Sequence, residues 1–204
     1  MKYIVGIDEA GRGPLAGPVT IGIVTIPKNV RHSVFNIFRG LKRGRGFRDS
    51  KKLSPQKREE IFEKIKNEKI IEFAVMFGSV RDIDKFGITR AIAKAIARGL
   101  KKLKINPKNS EILLDGSLKA PKGFKNQKTI IKGDEKNLLI ALASIVAKVF
   151  RDKLMKRLAK KHTKYEFEIN KGYGTKKHIS LIKKHGLSSI HRKTFCKNIR
   201  PKQR

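Results

Sequence analysis

Residues 1 to 19, MKYIVGIDEAGRGPLAGPV, decide how this chain is read. Tyr3 to Ile7 is a short apolar run of strand-forming residues, and Asp8 and Glu9 stand at its end. Gly11, Arg12, Gly13 and Pro14 follow at once. Two acids at the end of a buried strand are costly, because desolvation and mutual repulsion both oppose ionisation. A divalent cation is the usual remedy. The glycines let the backbone approach a ligand, while Pro14 and Pro18 keep the loop from pairing as sheet. Neighbouring strand residues point to opposite faces, so Asp8 and Glu9 share a pocket only if the backbone bends or Glu9 reaches round. An acidic turn closing a hairpin is the plain alternative for this pair alone.

The same design recurs further along. An apolar run ILL leads into Asp115, and TII followed by Lys132 and Gly133 leads into Asp134. Ligand sites of α/β folds gather at strand carboxyl ends, where acids distant in sequence converge. Taken singly, Asp115-Gly116 reads as an ordinary turn and Asp134 as a helix N-cap. Their joint occurrence in a lysine-rich chain favours a metal site. Oxygen-only ligands suit Mg²⁺ or Mn²⁺. Two such ions about 3.5–4 Å apart form a known apparatus for in-line phosphodiester displacement.

Between these points the pattern alternates strands and helices. Val19 to Ile26 reads as a second strand after a loop of roughly ten residues. Pro27 to Leu53 reads as basic loop, and Ser54-Pro55 opens a helix running to about Glu68. A strand is expected within Lys69 to Val80, and one helix over Asp82 to Leu103. Glu111 to Leu114 and Thr129 to Lys132 are short strands flanking a basic loop. Asn137 to about Lys160 is helical, and its first half, LLIALASIVAKVF, is apolar on almost every face, which places it at the centre of the fold. Beyond Lys161 the chain is polar and basic, with Gly172-Tyr173-Gly174 in a loop and one or two short helices after Thr175. The expected architecture is α/β: a mixed sheet flanked by helices, residues 1–160 forming the core and 161–204 a small basic helical extension.

Composition narrows the partners. The 204 residues carry 50 Lys and Arg against 17 acids, a formal net charge of +33. A charge this large favours polyanions through Coulomb attraction and counterion release, so nucleic acid is the expected partner. A non-catalytic nucleic-acid-binding protein or a ribosomal protein would show the same charge. No segment pairs one basic face with an exposed aromatic face, so a membrane surface is not expected. The single cysteine, Cys196, excludes an internal disulfide and a multi-cysteine zinc site. With neither a signal peptide nor a membrane-spanning run in view, a cytoplasmic location is expected.

Several segments together resemble one family. GIDEAGRG at 6 to 13 is similar to the signature of ribonuclease HII, and DSKKL at 49 to 53 to its second motif. LLDG at 113 to 116, KGD at 132 to 134, ASIVAKVFRD at 143 to 152, KGYGT at 171 to 175 and IHRKTF at 190 to 195 follow in the family's order. The resemblance spans residues 4 to 195 and implies a ribonuclease H-like fold. It also implies a metal-dependent endonuclease that cuts the RNA strand of RNA–DNA hybrids and incises 5′ to a lone ribonucleotide in duplex DNA. By the same resemblance, Asp8, Glu9, Asp115 and Asp134 take the metal-binding positions, for two divalent cations during catalysis. Gly11, Arg12 and Gly13 take the segment that senses the ribose 2′-hydroxyl, the group that separates RNA from DNA at one nucleotide. Tyr173 matches a tyrosine that stacks on the following deoxyribose, and Asp49, Ser50 and Lys51 match a phosphate-contacting motif.

Ser144 and Lys148, four apart on the central helix, are further candidates for phosphate contact, although Ser144 could instead bond its own helix backbone. Arg151-Asp152 reads as a structural ion pair. Three positions depart from the family pattern: Gly87 stands for asparagine, Asn170 for histidine and Ser189 for proline, and KRGRGF at 42 to 47 resembles a basic insertion. A monomer is expected, and the basic tail shows no paired-aromatic clamp-binding box.

Overall fold

In the computed structural model, residues 2–43, 46–47, 50 and 52–199 are described. The expected roles of Asp49 and Lys51 therefore lie outside the described residues. The first strand, β1 (Tyr3–Ala10), runs past its apolar half and takes in both acids. It pairs antiparallel with β2 (Val19–Pro27) along its full length, Asp8 opposite Gly22 and Glu9 opposite Ile21. The connection closes in eight residues, 11 to 18.

Residues 28 to 53 do not form the loop expected from their basic composition. A helix, α1 (Arg31–Ile37), lies within them, and Lys42–Arg43 (β3) pairs with Gly46–Phe47 (β4). Val34, Phe38 and Leu41 are the reason: spaced about one helical turn apart, all three are buried in the core beneath the charged residues.

Helix α2 (Pro55–Asn67) begins as expected, with the Ser54 side chain accepting the Lys57 N–H and Pro55 at the first position. The edge strand β5 (Glu72–Gly78) pairs antiparallel with β2. The single helix expected over Asp82 to Leu103 is two, α3 (Val80–Phe86) and α4 (Ile88–Lys102). Gly87 sits between them at φ 81°, a conformation open to glycine at little cost, and breaks the run without disturbing the apolar stripe. Strands β6 (Ser110–Asp115) and β7 (Gln127–Ile130) are parallel additions beyond β1, β7 starting two residues before the expected Thr129.

A short helix, α5 (Gly133–Lys136), leads into α6 (Leu138–Lys161), whose start is capped by Asn137 accepting the Leu139 and Ile140 N–H groups. After α6 come α7 (Phe167–Asn170) and α8 (Lys176–His185).

The five-stranded sheet has the order β5-β2-β1-β6-β7, and its antiparallel β5-β2-β1 and parallel β1-β6-β7 pairings make it mixed, as expected. Alternation along β1 divides the core. Ile4 packs with α2 and α6 on one face, whereas Val5 and Ile7 pack with α4 on the other. Helix α6 comes very close to the sheet because two glycines lie under it. A Cβ on Gly6 would stand 2.3 Å from the Leu139 carbonyl carbon, and one on Gly22 would stand 2.1 Å from the Ala143 carbonyl oxygen. A third apolar cluster, containing Ala16, Met155, Tyr165, Phe167 and Ile182, fastens the C-terminal segment to α6 and to the loop after β1. No helix among the described residues is long and apolar enough to cross a membrane.

Candidate active site

Sheet register brings the first acids together. β1 and β6 run parallel with Ile7 beside Leu114, so the next residues, Asp8 and Asp115, are neighbours at the strand ends. Adjacent strands lie only ~4.8 Å apart. Asp8 shares its face with Gly6, which puts it against α6, and it is just 3 % exposed. Glu9 belongs to the other face, yet it lines the same cleft as Asp8 and Asp115. The cleft, of about 500 Å³, is completed by the Gly11–Gly13 turn, Lys148, Arg151, Lys171 and Tyr173. A larger cleft, of about 700 Å³, opens beside α1 over an apolar floor and is lined by no acid among the described residues. The smaller one carries the chemistry.

The acids are restrained by donors of the protein. Asp8 Oδ1 accepts the Glu9 N–H at 2.7 Å, and Asp115 Oδ1 accepts the Gly133 N–H at 2.6 Å. Glu9 Oε1 pairs with the Arg12 guanidinium at 3.5 Å. Asp134 is the residue after Gly133; it is buried in α5 and does not line the cleft itself. Among the described residues, no three His, Cys, Asp or Glu side chains are already drawn together at metal-ligating separation.

Burial dominates the electrostatics. Desolvation pushes the Asp8 carboxyl up to about 8; the Lys148 ammonium opposes this, and Glu9 and Asp115 reinforce it. Desolvation also raises Glu9, against the pull of Arg12. Neighbouring carboxyl groups that resist ionisation in a low-dielectric cleft are relieved by a hard cation, and every donor they offer is oxygen. The residues fit a divalent metal.

Lys148 is the counter-charge the chain itself supplies. Its Nζ donates to Ser50 Oγ at 2.8 Å and to Ser144 Oγ at 2.7 Å, and the two hydroxyls lie 2.8 Å apart. The Ser144 hydroxyl also faces the Asp8 carboxyl and favours its ionised form, against the larger effect of burial. Ser144 thus spends its hydroxyl between the second motif and the buried acid, not on its own helix backbone. Both serines are fully buried, so their reach toward a phosphate runs through the Lys148 ammonium.

Arg151 and Asp152 do not form the expected ion pair. Successive helical residues diverge by about 100°. Asp152 turns to Arg58 of α2 at 3.3 Å, while Arg151 turns inward. There its Nη2 donates to the Lys171 carbonyl at 2.9 Å, and its guanidinium lies 5.5 Å from the centre of the Tyr173 ring. Tyr173 remains 49 % exposed at the cleft, available for stacking. Asn170, in place of the family's histidine, spans the turn before it by donating to the Tyr165 carbonyl and accepting the Gly172 N–H.

Sequence reasoning did not single out Arg58, Lys171 or Arg192, and it gave Arg151 only a structural ion pair. A signal for Arg151 exists in Ser144, Lys148, Arg151 and Met155, which recur at helical spacing and form one partly polar stripe on an otherwise apolar helix.

Comparison with known proteins bears on the same residues. The sequence pattern of the family described as ribonuclease HII matches residues 5–198. Ribonuclease HII of Endomicrobium trichonymphae is 47 % identical over 192 residues, covering 94 % of this chain and 84 % of that protein. Ribonuclease HII of Caldicellulosiruptor bescii is 43 % identical over 198 residues, covering 97 % and 88 %. Among solved structures, the ribonuclease H2 of Pyrococcus horikoshii OT3 superposes with a TM-score of 0.74 at 29 % identity, covering 97 % of this chain and 96 % of that one. The RNase HII of Archaeoglobus fulgidus, solved in complex with PCNA, gives 0.73 at 26 % identity, covering 98 % of each.

Proposed function

The chain belongs to the ribonuclease HII family, and we propose on that premise that it hydrolyses the RNA strand of RNA–DNA hybrids and incises 5′ to single ribonucleotides in duplex DNA. As a family member it is a ribonuclease H endonuclease. The observation that carries the finer reading is the register of β1 and β6, which seats Asp8 beside Asp115 under a cleft edged by Gly11–Gly13 and Tyr173.

Asp8, Glu9, Asp115 and Asp134 would hold two divalent cations, Mg²⁺ or Mn²⁺. Bound there, such ions supply an activated water and neutralise charge on the scissile phosphate. Asp8 and Glu9 are the central ligands, and Asp115 and Asp134 complete the set. Lys148, backed by Ser50 and Ser144, meets phosphate charge at the cleft edge. The turn at Gly11–Gly13 reads the ribose hydroxyl, and Tyr173 carries the adjoining sugar. The products bear 5′-phosphate and 3′-hydroxyl ends. Residues 1–160 perform the chemistry, and 161–204 hold the duplex. The protein acts in this reading as a monomer in the cytoplasm.

The test is incubation with a DNA duplex containing one ribonucleotide, in Mg²⁺, in Mn²⁺ and in chelator, beside an all-DNA duplex. Metal-dependent cutting 5′ to the ribonucleotide alone is the expected result. Tight binding without cutting under every metal condition would replace this reading with that of a nucleic-acid-binding protein.

A further inference from the structure

Arg192 is the largest fully buried side chain among the described residues. Burial lowers its pKa to about 10, so it stays cationic at neutral pH. Its three nitrogens donate to backbone carbonyls of the loop after β1: Nε to Gly17 at 2.9 Å, Nη1 to Arg12 at 2.8 Å and Nη2 to Gly11 at 2.6 Å. A buried guanidinium spent wholly on one loop fixes the peptide planes of that loop.

The orientation of those planes has a chemical consequence. In a trans peptide, the carbonyl of one residue and the N–H of the next point in opposite directions. With the Gly11 and Arg12 carbonyls drawn onto Arg192, the N–H groups of Arg12 and Gly13 face away from it. Arg12 and Gly13 line the cleft that holds the acids. Gly11 has little room to turn. It sits at φ 83°, and a Cβ on it would stand 1.9 Å from Arg151 Nε. The turn is held between two guanidinium groups.

We propose that Arg192 is the positioning residue of the 2′-hydroxyl-reading turn, presenting the Arg12 and Gly13 N–H groups to the ribose by anchoring the carbonyls of Gly11 and Arg12. The inference rests on the function proposed above and assigns the reading of the sugar to a residue outside the turn. The neighbouring His191 faces His178, which bonds the Tyr173 carbonyl, so the same short segment also steadies the stacking residue.

The test measures Kd in chelator for a duplex with one ribonucleotide and for its all-DNA counterpart, using wild type, Arg192→Gln and Arg192→Lys. Wild-type cleavage in Mg²⁺ is assayed alongside. Loss of two oriented donors corresponds to roughly tenfold in equilibrium. Arg192→Gln is therefore expected to lose about tenfold of the preference for the ribonucleotide, while its Kd for all-DNA duplex, governed by phosphate contacts, stays within about threefold of wild type. Arg192→Lys, which keeps the charge but not the three-way grip, falls between. Undiminished preference in a folded variant overturns the proposal, and so does an equal loss on both duplexes, which a merely structural role would give. If Arg192→Gln does not fold, Arg192→Lys decides by the same criterion. A wild type that neither cuts nor prefers the ribonucleotide duplex defeats the functional reading first, and the proposal falls with it.

Discussion

His178 and His191 meet Nε2 to Nε2 at 3.1 Å, and the groups around them fix both tautomers. His178 Nδ1 lies 2.8 Å from the Tyr173 carbonyl, which only accepts, so this nitrogen carries the proton. Its Nε2 is then the acceptor, and His191 Nε2–H donates to it. His191 Nδ1 in turn accepts the Ser188 N–H at 2.9 Å. Both rings are neutral, and they pack against Tyr165 and Phe167.

Acid should therefore weaken the protein in a defined window. Burial, reinforced by His178, lowers His191 from 6.5 to about 4. Between these values the unfolded chain binds a proton that the folded chain refuses, so stability is complete above pH 6.5 and falls as the pH drops toward 4. The loss attributable to His191 is on the order of 2–3 kcal/mol. Urea unfolding at pH 7, 5.5 and 4.5 checks it. His191→Gln should show a shallower acid slope, and an unchanged slope would remove His191 as the cause.

Asp8→Asn should eliminate cleavage and yet raise metal-free stability. At pH 7 the buried acid, held up at about 8, makes the fold less stable than an amide of the same shape would. A gain of roughly 1–3 kcal/mol in chelator is expected. Added Mg²⁺ or Mn²⁺ should stabilise wild type but leave the variant nearly unmoved. Thermal melts with chelator and with each metal test both statements; a variant that is less stable in chelator and still metal-responsive contradicts them.

The contact of α6 with the sheet predicts sharp sensitivity at Gly22. Its Cβ would meet helix backbone, which cannot swing aside, so Gly22→Ala should cost about 3 kcal/mol or prevent folding. Gly40→Ala, where nothing lies within 4 Å of the new Cβ, should stay within about 0.5 kcal/mol of wild type. Chemical denaturation of the two variants compares them directly.

Ser50, Ser144 and Lys148 should behave as one unit. Removing either the Ser50 hydroxyl or the Lys148 ammonium strips a partner from a buried hydrogen-bonded network, at about 1–2 kcal/mol each. The double variant Ser50→Ala with Lys148→Met should fall short of the sum by about 1 kcal/mol. Strict additivity in denaturant melts would show the two to be independent.

Much of this was legible in the sequence where the signal is local. Ser54-Pro55 marks the start of α2, and the unbroken apolar run after Asn137 marks the central helix. Acids following apolar strands locate the cleft, because parallel strands in register bring their ends together. The misses lie where charge hides packing or where tertiary contacts decide. Val34, Phe38 and Leu41 form a helical stripe diluted by arginine and lysine. Gly87 splits a helix whose apolar pattern runs straight through it. The inward turn of Arg151 answers to carbonyls brought up from Lys171 and Ala16, which no local spacing announces.

One consequence concerns synthesis. Arg192 grips Gly11 across a sequence separation of 181 residues. At ~5–20 residues per second, roughly ten to forty seconds of translation separate the two. The carboxylate-bearing strand is therefore made well before the residue that anchors the turn beside it. A nascent chain stalled before Arg192 would carry the acids with the turn beside them unanchored, so termination ahead of Arg192 should yield a protein whose preference for ribose over deoxyribose is weakened, as in Arg192→Gln.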